Sequence, residues 1–210
     1  MRELVILTAD GTMNAVFKAF FERPMWHLTL QCGTFDIWAE EDIFNLPGKT
    51  DGQLHKNAHE LLRPYQRTHI RALVVLDQQF GGERPAEEIR QEILRNLNRS
   101  GWDDRCEVVV IDPELEVWLW QDKPQIAQAV RFPGGSLRNH LREEGLWPQD
   151  QHKPDMPKKT IQALMKQHRA GAPIVVYPKI AKSVGVSGCQ DSAFGIFRER
   201  MQAWFPAEDA

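Results

Sequence analysis

The sequence predicts an α/β fold: a parallel sheet of about four strands flanked by helices, with a C-terminal helical extension. Short, unbroken apolar runs alternate with longer segments in which apolar residues recur at helical spacing. Continuous apolar runs are typical of strands that are covered on both faces, and connections long enough for a helix indicate parallel pairing.

Four segments are predicted as strands. Residues 4–8 (LVILT), 72–76 (ALVVL) and 107–111 (EVVVI) are continuous apolar runs, and residues 34–38 (TFDIW) alternate more and are predicted as a weaker strand nearer an edge. We expect the three continuous runs to be adjacent parallel strands of one sheet, because right-handed crossovers join strands in this way.

Helices are predicted between these strands, at residues 14–23, 53–65 and 85–99. In each of them apolar residues recur every three or four positions, as in NAVFKAFFER. The third opens on Pro85 followed by acidic residues, a composition that suits a helix N-terminus.

After residue 111 the sequence becomes largely helical. Further helices are predicted at residues 125–130, 136–144, 158–168 and 192–205. We interpret residues 1–122 as the core and residues 123–210 as a helical extension packed on the same sheet. The whole chain, 1–210, is then a single domain, which its length permits.

The composition argues against several classes of protein. The net charge of −3 gives no overall basic excess that would indicate nucleic-acid binding. The three cysteines are widely spaced and form no CxxC pair, which favours reduced thiols in a cytoplasmic protein. No apolar run approaches the roughly 18 residues that a membrane span needs, so no membrane partner is expected.

Acidic residues follow three of the predicted strands. Asp10 precedes Gly11 after the first strand, Asp77 ends the third, and Glu114 and Glu116 follow the fourth. Ligands of open parallel sheets bind beyond the carboxyl ends of the strands, and carboxylates gathered there suit Mg²⁺ or Mn²⁺. Acidic residues at such junctions are also common helix caps, so each residue has a structural alternative.

The stretch PELEVWLW, residues 113–120, is the most specific of these segments. Pro113 is predicted to open a helix, with Glu114 and Glu116 in its first turn. A helix this apolar is expected to be buried, and an acidic side chain on its inner face then requires a partner or a metal ion.

Five short motifs occur in order along the chain: ADG (9–11), LDQQ (76–79), PELEVW (113–118), PKKTI (157–161) and CQDSAF (189–194). Their order and spacing resemble the Toprim-like proteins of bacterial anti-phage systems, a group that includes RloB-type proteins and a related family of uncharacterised function. The resemblance covers nearly the whole chain and implies a Toprim/Rossmann-like parallel sheet.

The resemblance also implies a function. A Toprim-like protein of this group would be a Mg²⁺-dependent nuclease subunit of a bacterial defence system, acting on the phosphodiesters of nucleic acid. Asp77, Glu114 and Glu116 would hold Mg²⁺ or Mn²⁺, and Asp10 and Glu114 would be catalytic, with Asp10 moving the proton.

Two departures from the family pattern leave alternatives open. The family carries a glutamate where this chain has Asp10, and an Asp-x-Asp where this chain has Asp77 and Gln79, so one metal-binding charge is lost. A non-catalytic Toprim-like subunit that binds an ABC-type ATPase is therefore the alternative. A small-molecule phosphotransfer enzyme is a third reading, since a fold does not fix a function.

Basic residues are concentrated in one segment near the C-terminus: Lys153, Lys158, Lys159, Lys166, His168 and Arg169, followed by Lys179 and Lys182. We predict that Lys158, Lys159 and Arg169 contact the phosphates of DNA or RNA, an interaction that is salt-sensitive and independent of sequence. A solvated helix face is the alternative for this segment.

Overall fold

The computed structural model describes residues 1–46, 48, 51–121 and 123–207. Its centre is a four-stranded, all-parallel sheet in the order β2-β1-β3-β4. The strands are β1 (Arg2–Thr8), β2 (Ile43–Phe44), β3 (His69–Asp77) and β4 (Cys106–Ile111). The predicted fold class is confirmed, as is the adjacency of the three apolar runs in β1, β3 and β4.

The prediction of a strand at residues 34–38 is wrong. The second strand is β2, in which Ile43 pairs with Ile6 of β1. Residues 34–38 instead pack as an irregular segment, in which the ring of Phe35 stacks on Phe205 with centroids 3.7 Å apart. The backbone N–H groups of Asp36 and Trp38 donate to the carboxylates of Glu3 and Asp42 rather than to a neighbouring strand.

Eleven α-helices are described. They are α1 (Gly11–Phe21), α2 (Trp26–Leu30), α3 (Ala39–Asp42), α4 (Asp51–Leu62), α5 (Ala86–Leu97), α6 (Glu116–Leu119), α7 (Pro124–Ala129), α8 (Leu137–Glu143), α9 (Pro157–Gln167), α10 (Pro173–Ser183) and α11 (Ser192–Trp204). The described part of the chain contains no helix that is both long enough and apolar enough to cross a membrane.

Helix α10 is the main element that the sequence analysis did not assign. Pro173 lies in its first turn, where a proline is tolerated, and Pro178 lies inside the helix, where a hydrogen-bond donor is lost. Packing compensates for this loss, since α10 lies against α1 and buries Val176, Tyr177 and Ile180. Tertiary contacts thus form a helix that the local sequence disfavours.

Helix α11 is fastened to the edge strand β4 by a buried carboxylate. Glu107 is 1% exposed, and its two oxygens pair with Arg90 of α5 at 2.7 Å and Arg200 of α11 at 2.6 Å. A buried carboxylate is costly unless it is paired and hydrogen-bonded. Here two guanidinium groups satisfy it from two helices on either side of the strand, which fixes both helices to β4.

We predict that Glu107→Gln lowers the free energy of unfolding by about 3 kcal/mol, because two arginines lose the charge that holds them against the sheet. Urea denaturation of the variant measures the loss. The matched control is Glu87→Gln, since Glu87 pairs with the same Arg90 from an exposed position. The control should cost less than about 1 kcal/mol, and an equal loss in the two variants would contradict this account.

Candidate active site

The candidate site is built around Asp77, the last residue of β3. Strand β3 is hydrogen-bonded to β1 on one side and β4 on the other, so its carboxyl end lies in the middle of the sheet edge. The backbone N–H of Asp77 donates to Oδ1 of Asp51, at 2.8 Å, and its own Oδ1 accepts from the backbone N–H of Leu115, at 2.9 Å. These two bonds tie the start of α4 and the segment after β4 to the same residue.

The electrostatics of Asp77 set it apart from an ordinary surface aspartate. Burial, followed by the negative charges of Asp51, Glu116 and Asp10, raises the pKa of Asp77 to about 8, against the hydrogen bond from Leu115. Strongly shifted carboxyl groups that owe the shift to burial and like charge are characteristic of functional sites. Asp77 is therefore the focus of a group of mutually repelling carboxylates.

Asp51 belongs to this group, although the sequence analysis did not identify it. It lies at the start of α4 and is partly buried, and burial raises its pKa despite the hydrogen bond from Asp77. The signal was available: Asp51 follows β2 as the other acidic residues follow their strands. Misplacing β2 at residues 34–38 hid this relation. We call Asp10, Asp51, Asp77, Glu114 and Glu116 the acidic cluster.

Glu114 is buried at 8% exposure and is held by two partners. The Nζ of Lys158, at the start of α9, forms an ion pair with its Oε2. The side-chain amide of Gln79, in the orientation that satisfies both groups, donates to the same oxygen at 2.7 Å. Gln79 thus acts as a hydrogen-bond donor toward Glu114.

Glu116 is buried at 5% exposure and accepts a hydrogen bond of 3.0 Å from the hydroxyl of Tyr177 in α10. Burial raises the pKa of Glu116, and burial together with the charge of Glu116 raises the pKa of Tyr177. The tyrosine therefore stays a neutral donor. The sequence analysis did not identify Tyr177, because it assigned no element to the segment that contains it.

The helix predicted to open at Pro113 begins instead at Glu116, and Glu114 precedes it. The cause is tertiary: the carbonyl of Pro113 accepts from the backbone N–H of Gln79 at 3.1 Å, and the backbone N–H of Leu115 donates to Asp77. Residues 113–115 are thus bound to the loop that follows β3. This binding brings Glu114 and Asp77 to the same edge of the sheet.

Asp10 is both a helix cap and a member of the acidic cluster. Its Oδ1 accepts from the backbone N–H groups of Thr12 and Met13, at 2.7 and 2.8 Å, so it caps α1. Both bonds use the same oxygen. Its negative charge also acts on Asp51 and Asp77. The cap thus fixes the position of the residue and leaves Oδ2 for another role.

The side-chain oxygens of the acidic cluster have the chemistry that a divalent cation requires of its ligands. They are hard oxygens with five potential negative charges, and Lys158 is the cation that acts on Asp51, Asp77, Glu114 and Glu116. In the described residues, however, no three His, Cys, Asp or Glu side chains converge on one point at which they would hold a metal ion. The carboxylates of Glu114 and Glu116 are instead turned toward protein donors.

The predicted phosphate contacts lie at two ends of one helix. Lys158 starts α9 and points into the acidic cluster, where the ion pair with Glu114 and the neighbouring carboxylates raise its pKa against the effect of burial. Lys159 is exposed, and Arg169 is exposed just beyond the C-terminus of α9. At 1.5 Å per residue, Lys158 and Arg169 lie roughly 16 Å apart along the helix axis.

The comparisons with known proteins leave the family open. No protein-family model matches the chain. No curated protein and no solved structure matches it either. The Toprim-like resemblance therefore stays a prediction that depends on the five motifs.

The raised pKa of Asp77 predicts how stability changes with pH. A carboxyl group with a higher pKa in the folded state holds its proton more tightly there. The free energy of unfolding therefore falls as pH rises from the unfolded value, about 4, to the folded value, about 8. Asp77→Asn removes this titration, so the variant should gain stability relative to the wild type across that range.

Urea denaturation at a series of pH values measures the difference between variant and wild type. The other carboxylates of the acidic cluster are present in both proteins, so most of their own titration cancels. Asp103→Asn, an exposed change just before β4, is the matched control and should give a difference that does not vary with pH. A constant difference for Asp77→Asn would show that Asp77 titrates normally.

Proposed function

We propose that this protein is a Toprim-like, divalent-cation-dependent nuclease subunit of a bacterial anti-phage defence system. One observation carries the catalytic part of the proposal. Asp77 ends β3, an inner strand of the parallel sheet, and is partly buried, with the charges of Asp51, Glu116 and Asp10 acting on it. Such an edge is where open α/β sheets bind ligands, and excess negative charge there favours a cation. The defence role is proposed from the motif resemblance.

The acidic cluster offers distinct residues for distinct tasks. Asp77 and Glu116 would hold Mg²⁺ or Mn²⁺, and Glu114 would join them if Lys158 released it. The ion would neutralise charge on the phosphoryl oxygens of a nucleic-acid phosphodiester. Asp10, fixed through Oδ1 by the helix that it caps, would accept a proton through Oδ2.

Lys158 has a second task in this proposal. Its side chain is 42% exposed while its Nζ pairs with Glu114, so the amine lies between the acidic cluster and the surface. Its raised pKa keeps it protonated at neutral pH. A protonated amine in this position would bind a phosphoryl oxygen, since preorganised positive charge stabilises transferring phosphoryl groups.

A second function is favoured by the same ion pair. Lys158 and Gln79 together satisfy Glu114, so the charge that a metal ion would otherwise balance is partly balanced by the protein itself. A Toprim-like subunit that has lost catalysis would be stabilised in this way. Its role would then be to bind an ABC-type ATPase in a defence complex.

Thermal melting with and without Mg²⁺ or Mn²⁺ separates the two functions. In the nuclease, either ion should raise the melting temperature of the wild type, because a ligand that binds the folded state stabilises it. Asp77→Asn should abolish the shift and, with it, Mn²⁺-dependent cleavage of DNA or RNA. The control Asp103→Asn should keep both, since Asp103 lies at the opposite end of β4.

A wild-type melting temperature that ignores both ions at millimolar concentration would remove the catalytic function. The partner-binding function would then stand, and the ion pair between Lys158 and Glu114 would be the reason that the fold tolerates its acidic cluster.

The basic segment yields a separate prediction. Lys159→Glu combined with Arg169→Glu should weaken binding of single-stranded nucleic acid. It should also reduce the magnitude of the slope of log K against log salt by about 1.4, at about 0.7 for each of two phosphate contacts. Lys158 is left unchanged, because its charge also holds Glu114. The control pair Lys56→Glu and Arg63→Glu makes the same charge change on α4 and just after it. Equal losses of affinity in the two pairs of variants would indicate a general charge effect. The basic segment would then be a solvated surface that contacts no phosphate.

A further inference from the structure

A polar cleft lies between three segments of the helical extension and the end of α6. Its volume is about 760 Å³. Its walls are the segment after α6, the link before α9 and the loop between α10 and α11. The residues that line it include Gln121, Lys123, His152, Lys153, Ser187 and Gln190. Amides, a hydroxyl and cations are the side chains that bind phosphate oxygens in proteins.

Two lysines and one aspartate are the charged residues among the described lining of the cleft. Lys123 is exposed and Lys153 half-buried, and neither amine has an ion-pair partner within residues 1–46, 48, 51–121 and 123–207. The lining carboxylate, Asp191, is already engaged: its Oδ1 accepts from the indole Nε1 of Trp118 at 2.8 Å and from the backbone N–H of Phe194 at 3.1 Å. Among the described residues that line the cleft, the two amines are therefore not paired with a carboxylate.

Two glycines in the loop leave space that the protein does not use. A Cβ atom at Gly185 or Gly188 would meet nothing within 4 Å, and neither residue has the left-handed backbone that favours glycine. Neither internal packing nor backbone strain thus requires glycine at these positions. Close approach of a ligand to the backbone is a third reason for glycine, and both residues line the cleft.

Neighbouring residues connect the wall of the cleft to the acidic cluster. Trp120, in its wall, follows Glu116 by one helical turn, about 6 Å along the axis. The indole Nε1 of Trp120 donates to the carbonyl of Pro157 at 2.9 Å, and the next residue is Lys158, which pairs with Glu114. One wall of the cleft is therefore connected, through Trp120 and Pro157, to the lysine that pairs with Glu114.

We propose that this cleft binds a phosphate of the nucleic-acid strand, through Lys123 and Lys153, and positions that strand beside the acidic cluster. The proposal rests on the proposed nuclease function for the identity of the ligand. Gly185 and Gly188 let the sugar-phosphate backbone approach the loop, and the lysines supply an interaction that is independent of base sequence. A free nucleotide carries the same phosphate chemistry and is the other source that the test distinguishes.

The test is binding of a fluorescein-labelled single-stranded oligonucleotide, followed by anisotropy in buffer with EDTA, so that the result does not depend on a metal ion. Lys123→Gln combined with Lys153→Gln should weaken binding and reduce the magnitude of the slope of log K against log salt by about 0.7, the value for the one phosphate that the variant no longer binds. The control pair, Lys56→Gln with Arg63→Gln, removes two positive charges outside the cleft and should leave the slope unchanged.

A second variant tests the cleft by shape. Gly188→Leu puts a side chain into open space, so its melting temperature should match that of the wild type while its affinity for the oligonucleotide falls. Wild-type affinity and slope in the double lysine variant, or wild-type affinity in Gly188→Leu, would overturn the proposal. So would tight binding of ATP to the cleft without competition from the oligonucleotide, which would identify a nucleotide site.

Failure of this proposal and failure of the proposed function give different results. If the nuclease function is wrong, the metal ions leave the melting temperature unchanged while oligonucleotide binding can still depend on the cleft. If the cleft proposal is wrong, the metal-dependent shift stays and the cleft variants bind oligonucleotide like the wild type.

Discussion

The structure depends on the way in which Asp77 is held at the end of β3, one of the two inner strands of the sheet. Pairing of β3 with a parallel strand on each side places its last residue in the middle of the sheet edge. The backbone N–H of Asp77 binds Asp51, and its carboxylate binds the N–H of Leu115. One residue thus ties the start of α4 and the segment that carries Glu114 and Glu116 to the end of β3.

This arrangement carries an electrostatic cost. Burial and neighbouring negative charge raise the pKa of Asp77, and burial raises the pKa of Asp51 and Glu116 as well. Lys158 relieves part of the repulsion through Glu114. A divalent cation and Lys158 would therefore compete for the same carboxylate, which makes this ion pair the point at which the nuclease and the partner-binding function diverge.

Much of the fold could be predicted from the sequence, because strands covered on both faces leave continuous apolar runs such as those at residues 4–8, 72–76 and 107–111. The positions of Asp10, Asp77, Glu114 and Glu116 followed from those strands. Asp51 could not be found once β2 was misplaced, since its signal is its position after that strand. The pairing of Lys158 with Glu114 spans 44 residues and depends on the packing of α9 on α6, which no local pattern reports. Tyr177 was missed for the same kind of reason, because packing on α1 forms its helix.

The central claim is that the acidic cluster binds a divalent cation, and the most direct measurement is anomalous diffraction from crystals soaked in Mn²⁺. We expect an anomalous peak within coordination distance of Asp77 and Glu116, with the amine of Lys158 moved away from Glu114. A soaked crystal with no peak at this edge of the sheet, and with Lys158 still paired to Glu114, would contradict the account.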